Sequence, residues 1–140
     1  MSSPYPTAAT ILVTGGVLNL VLSFALGWVL SAARMRRPIT ELRWLLTAHE
    51  VALQEGLMLL GLAFALGFAS MPPAWAERAA WLLVVASGFQ DGSGIANWLR
   101  STGDQFAERS LGWVLASINA VLNTAGLAII AWGVLSTAMA

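Results

Sequence analysis

His49, Glu50, Gln54 and Glu55 crowd the start of "TAHEVALQEGLMLLGLAFALGF", residues 47 to 68, a stretch otherwise apolar and long enough to cross a bilayer. An imidazole can ligate a metal or carry a proton near neutral pH. A carboxyl group can donate or accept one. Because an ionisable group in hydrocarbon costs several kcal/mol, such residues inside a span point to function by default. A third carboxyl, Asp91, lies in the apolar run 79–99 with Gln90 beside it and Asn97 further on. Gln90 and Asn97 are seven apart and share a helix face, with Ser93 and Gly94 between them. Asn119 and Asn123, four apart with Gly126 beyond, share another face. The plainer reading of these amides is hydrogen bonding between helices, and Glu50 also reads as a charge at a membrane boundary.

The inventory excludes much. With no cysteine there is no disulfide, iron–sulfur cluster or thiol nucleophile. "HEVAL" lacks the second histidine of a zinc protease helix, and one histidine falls short of the three or four ligands usual for zinc. No phosphate-binding loop or GxSxG turn is present, and "GFQDGSG" has no strand before it. The formal net charge is zero, so nothing points to nucleic acid. One histidine does suffice to hold heme iron from one side, leaving the opposite axial position open.

Those residues must be positioned by helices. Of the 140 residues 58% are hydrophobic and 10% charged, where a soluble domain has about a quarter charged. Four apolar runs, at about 8–30, 45–69, 79–99 and 111–138, each reach the roughly 20 residues that span a bilayer. The first lacks a preceding basic stretch and a small-residue cleavage site, so it reads as a retained helix rather than a signal peptide. The expectation is one all-α transmembrane domain over 1–140, a multi-pass protein of a bacterial-type inner (cytoplasmic) membrane. Short linkers, "SAARMRRPIT", "SMPPAWAER" and "RSTGDQFAERS", predict an antiparallel up-down-up-down four-helix bundle. Arg34, Arg36, Arg37, Arg43, Arg100 and Arg109 fall on the side of linkers 1–2 and 3–4, against Arg78 alone on the other. Those linkers are therefore expected in the cytoplasm, with both termini outside. Trp28, Trp44, Trp75, Trp98 and Trp113 fall near predicted helix ends, as an interfacial belt would.

At about 100° per residue, and with His49 at zero, Glu50, Gln54 and Glu55 point to about 100°, 140° and 240°. A helix with one lipid-facing stripe cannot hide all four. Either water reaches them near the cytoplasmic end, or the second helix is enclosed by its own bundle and by a neighbouring protomer. Glu55 lies about 9 Å deeper than His49, which favours a homo-oligomer.

Three segments carry a resemblance: "AHEVALQEG" at 48–56, "GFQD" at 88–91 and "GDQF" at 103–106. In their order and spacing the chain resembles styrene oxide isomerases, small four-helix membrane enzymes, over about residues 44–135. The likeness implies a homotrimer with heme b at each protomer interface and His49 as the iron ligand. It implies redox-neutral isomerisation of a small apolar, epoxide-like substrate to a carbonyl, with the open face of the ferric heme as Lewis acid. Candidate cofactor contacts are then His49, Glu50, Asn119 and Asn123, and candidate catalytic residues are Glu55, Asp91, Gln90 and Asn97. The chain departs from the family twice. Glu55 stands where the family has Asn, and Ile95 falls near the family's active-site Tyr. Glu55 could then exchange a proton in a related isomerisation. The departures equally suit another substrate or a heme protein without isomerase activity. The alternative readings are a heme-binding or electron-transfer membrane protein, and a small proton-coupled transporter using Glu55, Asp91 and His49.

Overall fold

A computed structural model describes residues 4–139; residues 1–3 and 140 of the expected domain lie outside the described residues. The described chain is all-helical, with four long helices and no strand. They are α1 (Pro6–Arg34), α2 (Arg43–Ala65), α3 (Pro73–Leu99) and α4 (Leu111–Ala138). Single 3-10 turns lead into α2 at Ile39–Leu42 and out of it at Leu66–Phe68.

The boundaries follow from local chemistry. Pro6 opens α1 and Pro73 opens α3, the position where a missing N–H costs nothing and φ is already helical. The Pro72–Pro73 pair thus starts α3 well before the expected residue 79, and takes Glu77 and Arg78 into the helix. α4 has the expected bounds and is capped by Ser110, whose Oγ accepts from the Trp113 backbone N–H at 3.1 Å.

Three stretches are long and apolar enough to cross a membrane: α1, residues 39–68 around α2, and α4. The sequence led us to expect four. α3 is long enough at 27 residues, but Gln90, Asp91, Ser93 and Asn97 dilute its apolar run. Large apolar side chains face outward, among them Val17, Leu18, Val21, Phe24 and Trp28 on α1 and Val121, Trp132 and Leu135 on α4.

The core has two apolar clusters. One joins Leu12, Leu59, Leu66, Ala76, Ala79, Leu83 and Ile130; the other joins Leu26, Leu30, Leu42, Leu45, Ala48 and Ala52. Inward residues of α2 recur at helical spacing as Leu45, Ala48, Ala52, Glu55, Gly56 and Leu59, so Glu55 belongs to the buried face. α1 meets α2 most closely at two glycines: a Cβ on Gly16 would come within 2.9 Å of the Gly56 carbonyl oxygen. Small residues at such a crossing let backbones approach.

Hydrogen bonds fasten both ends. The Tyr5 hydroxyl accepts from the Met71 N–H at 2.9 Å and lies 3.0 Å from the Met71 carbonyl oxygen. At the other end the Thr102 carbonyl accepts from the Trp44 indole N–H at 2.6 Å and the Arg43 guanidinium at 3.2 Å.

Candidate functional site

His49 sits on the flank of α2 that faces α1. Its Nδ1 is 2.8 Å from the backbone carbonyl oxygen of Ser23. A carbonyl can only accept, so that hydrogen bond requires the proton on Nδ1. The Ser23 hydroxyl, 3.1 Å from the same nitrogen, donates to the His49 carbonyl at 3.0 Å. The ring is thus held in one orientation with its Nδ1 protonated. In the neutral ring the lone pair then falls on Nε2, which has no hydrogen-bond partner among the described residues. A metal-ligating histidine commonly gives its other N–H to a backbone carbonyl in this way.

The imidazole forms part of a groove of about 430 Å³ between α1 and α2, walled by Phe24, Trp28, Leu30 and Leu53 with the hydroxyls of Ser23 and Ser31. Its floor is Gly27, where a Cβ would lie 3.2 Å from His49 Cε1. Phe24 and Trp28 on its rim are about three-quarters exposed, at 76% and 75%. The donor set suits heme: one imidazole with a free Nε2, a fixed tautomer and a mostly apolar wall. No group of three or more His, Cys, Asp or Glu gathers for a metal ion among the described residues, so a site with several protein ligands has no candidate there.

The other expected site residues lie elsewhere. Glu50 is exposed. Glu55 is buried on α2 and Asp91 on α3. They do not line the His49 groove. Gln90 Oε1 accepts from Asn119 Nδ2 at 2.9 Å, a bond joining α3 to α4. Asn97, fully buried, donates from Nδ2 to Gln105 Oε1 at 2.9 Å, and its Oδ1 accepts from the Ser110 hydroxyl at 2.8 Å. It clasps the 99–110 turn onto α3 and reaches neither carboxyl through these bonds. Asn123 is half-buried on α4, and its Oδ1 is one of the buried oxygens without a hydrogen bond. The structure therefore separates the candidates into an outward groove at His49, an interior acid pair, and amides that join α3 to α4.

Ser23, Gly27, Asn19 and Ser87 were not singled out from the sequence. Asn19 is buried on α1 and donates from Nδ2 to the Gly15 carbonyl at 2.9 Å and to Ser87 Oγ on α3 at 3.1 Å. The available signal was the four-residue spacing of Gly15, Asn19, Ser23 and Gly27, one small or polar stripe in the uncharged run 8–30.

No family model matches the chain, and neither a curated protein nor a solved structure matches it.

Proposed function

We propose that the chain is a membrane-embedded heme b protein that isomerises a small apolar epoxide to a carbonyl without net redox change. The observation that carries this reading is the His49 clamp: Nδ1–H engaged by the Ser23 carbonyl, Nε2 without a hydrogen-bond partner among the described residues, and the residue lining a mostly apolar groove. His49 would hold the iron, the Ser23 carbonyl would raise the basicity of the ring and fix its plane, and Phe24, Trp28 and Leu53 would keep water from the metal. When bound, heme would supply Lewis acidity. Glu55 and Asp91 lie outside the groove of their own chain, so their role in this reading is to shape the bundle interior.

An antiparallel up-down-up-down arrangement is supported by the contact pairs Gly16 with Gly56, Gly27 with His49, Ala48 with Gly94, and Leu83 with Gly126. The groove is open on its outer side, which suits completion by a neighbouring copy in a homotrimer. The arginine bias supports cytoplasmic linkers 1–2 and 3–4 in an inner membrane.

The test is the ultraviolet–visible spectrum of detergent-purified protein beside a His49→Ala variant, followed by product analysis with an aryl epoxide. A Soret band that the variant loses, together with carbonyl product, is expected. If no Soret band forms even after heme is added back, the reading fails. A second reading, a small proton-coupled transporter, is favoured by the buried Glu55 and Asp91; it expects proton flux in vesicles and no Soret band.

A further inference from the structure

The bundle interior holds a polar layer unconnected to the His49 groove. α1 contributes Asn19, α2 Glu55, and α3 Ser87 and Asp91 one turn apart on the same face. Asn19 is 6% exposed, Glu55 9%, Ser87 1% and Asp91 6%. Three helices meet at this level: the Asn19–Ser87 hydrogen bond links α1 to α3, Gly16 of α1 packs on Gly56 beside Glu55, and Gly15 faces Val84 of α3 and Leu59 of α2.

Three oxygens in the layer, Asn19 Oδ1, Glu55 Oε2 and Asp91 Oδ1, are buried and accept no hydrogen bond. The Asn19 amide cannot turn to relieve this. Its Nδ2 already serves the Gly15 carbonyl and Ser87 Oγ, and a flip would set oxygen against oxygen at Gly15. Ser87 has no donor to spare, because its hydroxyl donates to the Val84 carbonyl at 2.9 Å. The layer is thus rich in acceptors and short of donors. Among the described residues nothing nearby supplies positive charge. The arginines lie at helix ends and in linkers, α4 has no ionisable residue, and His49 points from another face of α2 toward α1.

A buried carboxylate with no partner is strongly disfavoured, and an acceptor left unpaired adds to the cost. Oxygen atoms of carboxylates and an amide are the ligands that hard cations take. We propose that Asn19, Glu55 and Asp91 bind one small hard metal cation, of the sodium or calcium class, inside each chain. The cation competes with protons for the two carboxyls. Asn19 Oδ1 supplies the neutral ligand, and Ser87 orients it. The site stands independently of heme, because no residue of the layer lines the His49 groove.

The experiment is scintillation-proximity binding of ²²Na⁺ and ⁴⁵Ca²⁺ to the detergent-purified full chain, across a pH series and against choline at matched ionic strength. One tracer is expected to bind saturably at about one per chain and to leave on acidification; which tracer binds identifies the cation's charge. Asp91→Asn and Glu55→Gln, two near-isosteric variants, are each expected to weaken binding at least tenfold while the Soret band of heme-loaded protein is unchanged. Absence of saturable binding of either tracer at every pH overturns the proposal, since protons alone would then satisfy the oxygens. Binding unchanged in both folded variants also overturns it.

Discussion

Gly27 lies directly under the imidazole of His49: a Cβ added there would stand 3.2 Å from Cε1 and 3.4 Å from Nδ1. A methyl at that distance must push the ring, and a branched side chain must fill the groove floor. Gly27→Val is therefore expected to abolish heme uptake while the protein still elutes as the folded species in detergent. Gly27→Ala should retain heme with a displaced Soret maximum. Heme titration of both variants checks this, and normal uptake by Gly27→Val would refute the placement of the ligand.

Ser23→Ala leaves the backbone carbonyl that accepts from Nδ1 but removes the hydroxyl bridge to the His49 carbonyl. Loss of an outer-shell partner commonly weakens metal binding about 10–100-fold. With the main partner retained, the lower end, about tenfold, is expected. Competition with apomyoglobin for heme would measure it.

Asn97 joins three segments through Gln105 and Ser110. Asn97→Leu leaves the half-buried Ser110 hydroxyl and Gln105 carbonyl oxygen without these partners, at up to about 1–3 kcal/mol for each group. Unfolding in mixed micelles should show a loss in that range with the Soret band intact. A neutral result would mean that water replaces Asn97 readily.

The Gly16–Gly56 crossing admits no side chain without movement. Gly16→Leu should cost about 1–3 kcal/mol or more through overpacking, whereas Gly61→Ala, where an added Cβ meets nothing within 4 Å, should be neutral. Paired thermal melts in detergent compare the two.

Helix number was legible because runs of bilayer length, three of them strongly apolar and the third in order diluted by Gln90, Asp91, Ser93 and Asn97, leave few other structures. The bounds of α4 were legible too, since Ser110 follows a charged linker and precedes an unbroken apolar run. The start of α3 was not. Glu77 and Arg78 read as linker charges, and a proline pair read as a stop when its second member opens the helix. Glu55 on a different helix face from His49 followed from 100° geometry alone, but that geometry could not say which face pointed inward. Asn19 and Ser23 escaped notice because one neutral polar residue per turn leaves a helix looking apolar; their roles depend on what α2 and α3 bring opposite them.

α3 and α4 divide their labour unequally, and this bears on how the chain is made. α4 carries no charge and is mostly apolar, and it turns only Gly112, Gly126, Ile130 and Gly133 fully inward. α3 is the one long helix too polar to qualify as a span, and its polar face meets Asn19 and Glu55. On the membrane reading, α3 leaves the ribosome before α4 and needs a receptor already in the bilayer. The α1–α2 pair is that receptor, so insertion of α3 depends on upstream sequence, whereas α4 can partition alone. A glycosylation reporter placed after α3 should report efficient insertion in the full chain and little when α1 and α2 are deleted. Equal insertion in both would show that α3 enters the lipid unaided, and that its acid is accommodated before any partner helix arrives.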